Sequence, residues 1–428
     1  MAAELVRSGK HRQAAAGGLR RAGRLRELLA AGVVDSFGMA LGWTVLVLLA
    51  VDRGGLAEAA LYNAAMLAGV VLSAPITGWL SRRLSGRVLL RSTAGAEIVL
   101  RVAVLWGLIA GAPTWSIATG VVIMHIAAWA GFAGMRAEVT AIAPGPKPMT
   151  RYALGIAAVE AAGTGFAALI PAGAAGYPTG WWLAVVFVVY AGSLVPTILI
   201  ARRARVRPDE TPTVGIPALA LSGRRVGTCP DPVPPSPGRR RGAVSPRLLA
   251  AGGAVMLIAS GPTLLAVPLT TELHGRAWVV GAAVAFSLGC LLATAAVEVI
   301  GAMRLPAVLR WSVFGLGMLV GWMFAPAHAY AVLFAQFAAG LSQTAFEGDM
   351  DSRVAAEAPL REVTTALAYS ASVRALGGSV AVKALPLLVT AQAVDRVVST
   401  AALILGVAAL LLYTITLIPR QLRRAPAG

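Results

Sequence analysis

Ionisable side chains stand where almost everything around them is hydrocarbon, and their types and spacing carry whatever chemistry this sequence can do. Each charge placed near the middle of a membrane span costs about 2.5–3.5 kcal/mol on insertion scales, so each needs a partner or a wet cavity. Asp35 shares a helical face with Gly38, Met39 and Gly42 at i+3, i+4 and i+7. Small neighbours of that kind admit water or a solute, which suits a carboxyl that takes up and releases a proton; the other reading is a packing acid bonded to nearby backbone. Glu97 and Arg101 are four residues apart on one face and read as a structural ion pair.

His125, Trp129, Phe132 and Arg136 fall on a single face of another apolar run. His125 there suits proton transfer or stacking against a solute, or simple packing. Glu160 lies beside Gly163 and Thr164, and Arg374, followed by Gly377 and Gly378, holds nearly the matching place in the second half. This places a carboxylate and a guanidinium at one depth, where they pair across a central cavity or Arg374 meets an anion. Gln336, Gly340, Gln343 and Glu347 share a face, and two amides at that spacing suit the orientation of a polar group.

Other chemistries lack their motifs. The sequence contains no Gly-x4-Gly-Lys-[Ser/Thr] loop for ATP, no Gly-x-Ser-x-Gly elbow, no His-Glu-x-x-His helix and no Cys-x-x-Cys pair. Neither an enzyme nor a resident cofactor or metal is expected. Cys229 and Cys290 differ too much in setting to suggest a disulfide.

The elements that must position these residues are membrane helices. The chain has 428 residues, 57% of them hydrophobic and 13% charged, with a mean hydropathy of +0.75. That composition belongs to a polytopic membrane protein. Windows of about twenty apolar residues predict twelve spans, near 29–51, 60–80, 90–111, 115–136, 152–172 and 179–201, then 248–270, 278–300, 308–325, 330–348, 364–389 and 397–418. Pro262 and Pro268 are expected to bend the seventh.

Between the sixes lies a polar stretch, 202–247, with arginine clusters at both ends and five prolines between 230 and 237. It reads as a disordered cytoplasmic linker. The basic residues 1–28 read as an uncleaved cytoplasmic tail and 419–428 as a second tail, flanking bundles at 29–201 and 248–418.

Arg53, Arg276 and Arg396 fall on one side of the membrane, Arg101, Arg374 and Lys383 inside spans, and the rest of the 37 basic residues on the side of the termini and linker. The positive-inside rule makes that side cytoplasmic. The net charge of +18 thus reflects orientation and membrane lipid, not nucleic acid. Abundant Ala, Gly and Arg with scarce Lys suggest a bacterial plasma membrane.

The halves repeat. Met135-Arg-Ala-Glu-Val-Thr-Ala-Ile-Ala-Pro144 matches Met350-Asp-Ser-Arg-Val-Ala-Ala-Glu-Ala-Pro359, and each copy closes the fourth span of its half. A repeat in the same orientation marks carriers built from two parallel six-helix bundles.

After the second span comes Gly78-Trp-Leu-Ser-Arg82-Arg83-Leu-Ser-Gly86-Arg87. This resembles the cytoplasmic signature loop of the major facilitator superfamily in Gly78, Arg83 and Arg87, with Arg82 in place of the acid and Ser85 in place of a glycine. Asp35-Ser-Phe-Gly38 looks most like the drug- and metabolite-exporting branches. The resemblance implies an all-α fold of two pseudo-symmetric six-helix bundles and alternating access by a monomer. It implies proton-coupled export of a small drug-like molecule or metabolite, with protons or another ion as the second partner. Asp35 and Glu160 then carry protons, and His125, Trp129, Gln336, Gln343 and Arg374 wall the substrate cavity. Two other readings stay open: an uptake permease for a small anion, and a non-transporting receptor, scaffold or lipid-handling protein of this fold.

Overall fold

The computed structural model describes residues 2–81, 83–142, 146–173, 178–202, 204, 244–303, 305–357 and 363–422. The expected linker, except for residues 202, 204 and 244–247, lies outside the described residues, as do Arg82 and the side chain of Arg136. Among the described residues the chain is helical, with one isolated bridge between Ala172 and Pro178 and no strand.

Helix α1 runs Ala2–Ser81 and is two passes, broken at Gly54 and Gly55. Gly55 sits at φ +62°, a backbone state that side chains disfavour, so the hairpin turns there. Next come α2 (Gly86–Ile109), α3 (Thr114–Ile142) and α4 (Pro146–Leu169). The sixth pass is split into α5 (Trp181–Gly192) and α6 (Val195–Ala201), where Pro196 can only begin a new helix.

The seventh pass is fractured into α7 (Pro246–Ala259), α8 (Gly261–Leu264) and α9 (Ala266–His274). Pro262 and Pro268 remove the amides that would have kept it whole. Then follow α10 (Ala277–Ala302), α11 (Ala307–Leu319) with a 3-10 turn Val320–Met323, α12 (Ala329–Glu357), α13 (Val363–Leu388) and α14 (Val394–Leu422). The described residues therefore make twelve passes, each over one of the apolar runs.

By length and composition alone, five helices among the described residues can cross a membrane, one of them the double pass Gly23–Leu80.

Contacts divide the chain into two compact units, Met1–Leu46 with Leu72–Val214, and Val47–Val71 with Gly215–Gly428. The tip of the α1 hairpin thus packs with the second unit: Leu56 and Ala60 join a buried cluster with Trp322, Phe346 and Leu269. In the first unit Leu28, Leu90, Met135, Val139 and Ala201 form a smaller cluster. The repeat is visible in burial. Met135 and Val139 are 4% and 0% exposed, and their counterparts Met350 and Val354 are both 0% exposed.

Small residues set helix distances. Gly289 of α10 lies against the Phe337 carbonyl of α12, and Gly340 of α12 against the Phe286 carbonyl of α10, so neither position has room for a Cβ. Backbones that approach so closely gain dispersion contacts along their length, which lipid cannot supply selectively.

Candidate functional site

In the first unit three helices converge on Arg101, whose residue surface is 0% exposed. Its Nε and Nη2 donate to Glu97 Oε1, the former at 2.9 Å, and Nη2 also donates to Asp35 Oδ1 at 2.7 Å. Nη1 donates to the Tyr190 carbonyl at 2.6 Å and to Ser193 Oγ at 2.9 Å. All five guanidinium donors are used, as burial of an arginine demands. The guanidinium also lies 5.1 Å from the Tyr190 ring centroid.

The local reasons are simple. Glu97 and Arg101 meet because they are four apart on α2, and the break after α5 frees the Tyr190 carbonyl and presents Ser193. Gly38 of α1 lets Ser193 come close, which brings Asp35 within reach. Two carboxylates share one guanidinium, so the ionised cluster carries a surplus negative charge.

A cavity opens beside it, lined by Asp35, Ser36, Glu97, Phe132, Met135 and Thr197 among others. Gly32, Ala94, Ala128 and Gly131 make the room. Asp35 keeps 30% of its side chain exposed while Glu97 keeps 3%. Thr197 is 4% exposed, and its hydroxyl has no hydrogen-bond partner among the described residues.

The remaining first-unit residues stand apart from this cluster. His125 is buried; its Nδ1 donates to the Val121 carbonyl at 3.0 Å, and its ring meets Trp43 edge-on at 4.9 Å. Trp129 is 42% exposed and packs edge-on against Phe132. Glu160 is exposed and has no ion-pair partner among the described residues.

In the second unit Arg374 is engaged through one nitrogen. Its Nη1 donates to Asp351 Oδ1 at 2.7 Å and to Ser370 Oγ at 3.2 Å. The long arginine side chain reaches from α13 to Asp351 near the end of α12. Gln336 is buried with Nε2 unpaired, and Gln343 donates to Glu347 at 3.1 Å while its Oε1 is unpaired. Nearby Asp349 gathers Arg310, Trp311 and Arg353 at 2.6, 2.7 and 3.3 Å.

The signature loop is a tight turn. Leu84 donates its amide to the Leu80 carbonyl at 2.8 Å, and Ser85 caps α2 by accepting from Val88 at 3.4 Å, so the serine that replaces glycine serves as a helix cap. Arg83 and Arg87 are exposed, the former with its guanidinium 4.2 Å from the Trp79 ring centroid. Gly78 lies at the end of α1.

At the hairpin tip Arg53 pairs with Glu58 at 3.1 Å, and Tyr62 donates to the same carboxylate at 2.5 Å. Glu272 at the end of α9 accepts from the Leu56 amide; burial raises its carboxyl above the ordinary 4.5, against the opposing pull of that hydrogen bond. Ser379 donates to the Ala64 carbonyl at 3.1 Å.

Sequence reasoning found Asp35 alone and Glu97 with Arg101 as a pair but did not join the acid to the pair, and it passed over Tyr190, Ser193 and Thr197. Their sequence signal is weak: single polar residues in apolar runs, distinguished only by a proline and a helix break.

No family model matches the sequence, and no curated protein matches it. Solved structures do. The inward-facing structure of a bacterial homologue of the iron transporter ferroportin gives a TM-score of 0.63 at 16% identity, over 91% of this chain and 98% of that one. The inward-open xylose transporter XylE from E. coli gives 0.61 at 12% identity, over 90% and 94%. The nucleoside transporter NupG gives 0.61 at 13% identity, over 91% and 99%.

Proposed function

We propose that this chain, whose fold is that of the major facilitator transporters, is a secondary active transporter that exports a small drug-like molecule or metabolite in exchange for protons. The neighbours are as unlike as a xylose transporter, a nucleoside transporter and a homologue of an iron transporter. Fold alone therefore supports a multi-pass membrane carrier, and the choice of cargo rests on this chain's own side chains.

The observation that carries ion coupling is the cluster of Asp35 and Glu97 on Arg101. A surplus negative charge in an apolar bundle is neutralised by a proton at little structural cost. Asp35, the more exposed acid, is the leading carrier, with Glu160 as a second. His125, Trp129, Gln336, Gln343 and Arg374 are the proposed substrate wall, and the unpaired amide atoms of Gln336 and Gln343 suit a polar group on the cargo. The chain sits in a bacterial plasma membrane with both termini cytoplasmic and works as a monomer without ATP.

The test is transport into inside-out vesicles, scanning dyes and metabolites with and without a proton gradient, for wild type and Asp35→Asn at equal protein level. Gradient-dependent accumulation that Asp35→Asn abolishes supports the reading. Uptake of a small anion is the second reading, and it depends on Arg374; with that guanidinium held by Asp351 it has less support. If no compound moves while the gradient holds, the non-transporting reading takes its place.

A further inference from the structure

We propose that the turn between the second and third passes is a binding site for an anionic phospholipid, whose headgroup phosphate lies on Arg83, Arg87 and Arg91 and whose acyl chains lie along the helix faces that lead up to them. It makes no use of the charge cluster on Arg101 or of the direction of transport.

The sequence sets the charge. No aspartate or glutamate occurs between Glu58 and Glu97, and both of those acids are engaged, Glu58 by Arg53 and Glu97 by Arg101. Arg83, Arg87 and Arg91 are exposed, and among the described residues none of the three pairs with a carboxylate. Arg87 and Arg91 are four apart on α2, so they share a face and repel each other; an anion between them turns that repulsion into attraction. Arg83 holds its guanidinium 4.2 Å from the Trp79 ring centroid, a contact that fixes the group without neutralising it.

Hydrocarbon leads up to this charge on both sides of the turn. On α1 Leu72, Pro75 and Trp79 are exposed at i, i+3 and i+7, one face that runs up to the turn carrying Arg83. On α2 Val88, Val99, Val102 and Trp106 are exposed, with Arg91 and Ser92 standing between the first two. Gly95, where an added Cβ would meet nothing, leaves a shallow notch in that stripe.

These two surfaces decide the occupant. A soluble anion satisfies the arginines but leaves Leu72, Trp79 and Val99 uncovered. A zwitterionic lipid covers the apolar stripes but brings its own cation to compete for the phosphate. An anionic phospholipid carries hydrocarbon and uncompensated charge in the order in which the helices present them. Guanidinium groups offer a phosphate two parallel donors, and a tryptophan at the end of a pass sits at headgroup level.

The experiment uses the full chain reconstituted in vesicles of phosphatidylcholine and phosphatidylglycerol, with bromine on the upper acyl chains of one lipid or the other. The fluorescence due to Trp79 is the difference between wild type and Trp79→Phe. At equal mole fraction, brominated phosphatidylglycerol is expected to quench that signal more strongly than brominated phosphatidylcholine. The preference is expected to fall roughly fivefold for each arginine removed in Arg87→Gln and Arg91→Gln, and to survive Arg87→Lys and Arg91→Lys, which keep the charge. Native mass spectrometry reads the same site without Trp79: phosphatidylglycerol retained by wild type is expected to be lost from Arg83→Gln combined with the other two glutamine substitutions. Equal quenching by the two lipids overturns the proposal, as does a preference that the triple variant keeps. Loss of the preference on adding inorganic phosphate at constant ionic strength overturns it too, since the arginines then serve a soluble anion. Raised salt screens exposed charge and is expected to erase the preference in wild type, so a preference indifferent to salt refutes the site even where a variant fails to fold.

Discussion

Arg101 Nη2 lies 2.7 Å from Asp35 Oδ1, and the contact ties the first pass of the chain to the third. It also converts a pair of charges that would cancel, Glu97 and Arg101, into a cluster of three that does not. Asp35 is therefore not a lone intramembrane acid. Its charge is set against a partner that Glu97 already engages, so whatever neutralises one carboxylate changes the hold on the other.

Removing the cation from such a cluster leaves the buried Glu97 carboxylate facing the half-buried Asp35. Breaking a buried pair by taking one partner costs about 3–5 kcal/mol, so Arg101→Gln is expected to lower the thermal unfolding temperature in detergent sharply. Adding Asp35→Asn and Glu97→Gln to it is expected to recover part of the loss, because the unpaired charges go with them. An Arg101→Gln protein as stable as wild type would deny the cluster any structural weight.

Glu97→Gln separates coupling from fold. It removes the surplus charge while leaving Asp35 on Arg101, so the expected protein unfolds at or near the wild-type temperature. Gradient-driven accumulation is expected to fall at least on the order of tenfold, while exchange of cargo without a gradient persists. Equal loss of exchange and of driven transport would mean that Glu97 acts on the fold or the cargo instead of the ion.

The passes were legible because a bilayer imposes a length on every apolar run, and the repeat was legible because Val139 and Val354, Met135 and Met350 keep equal burial. The fractures of the seventh pass followed from Pro262 and Pro268. What the sequence could not reveal was the rotation of one helix against another. Asp35 and Arg101 are 66 positions apart, and no spacing says that α1 turns its acid toward α2. For the same reason Asp351, one turn from the end of an apolar run, was not recognised as the partner of Arg374, and Thr197 looked like one tolerated hydroxyl.

Arg374 and Asp351 give a direct measure of that second pairing. Their side chains are 8% and 29% exposed, so a double-mutant cycle with Arg374→Gln and Asp351→Asn is expected to return a coupling of about 1–3 kcal/mol in stability. Asp351→Asn alone frees the guanidinium, and is expected to strengthen binding of anionic cargo relative to neutral cargo. A coupling indistinguishable from zero would show that the pair holds nothing.

Helix contact between α10 and α12 depends on glycine. At Gly340 an added Cβ meets the Phe286 carbonyl, whereas at Gly348, on the same helix, it meets open space. Gly340→Ala is therefore expected to cost about 1–3 kcal/mol through overpacking. Gly348→Ala is expected to be neutral or to gain up to about 1 kcal/mol in helix propensity. Thermal unfolding of the two variants side by side decides it, and equal effects would place the α10 and α12 contact elsewhere.

Glu272 makes the hairpin tip sensitive to pH, and the sign follows from its surroundings. Burial raises its carboxyl above the ordinary 4.5 while the Leu56 amide pulls the other way, and the rise wins. The folded protein then binds a proton more tightly than the unfolded chain does. Stability from this residue is greatest at and below its ordinary value, and is lost as pH rises from there through the raised value. Glu272→Gln keeps an oxygen for the Leu56 amide but cannot ionise, so its stability is expected to stay level over that window while wild type declines. The measurement is the difference in unfolding temperature between the two proteins across acidic to neutral pH. A difference that does not vary with pH, or that grows in favour of wild type as pH rises, would reverse the assignment and make the ionised carboxylate the form that the Leu56 amide holds.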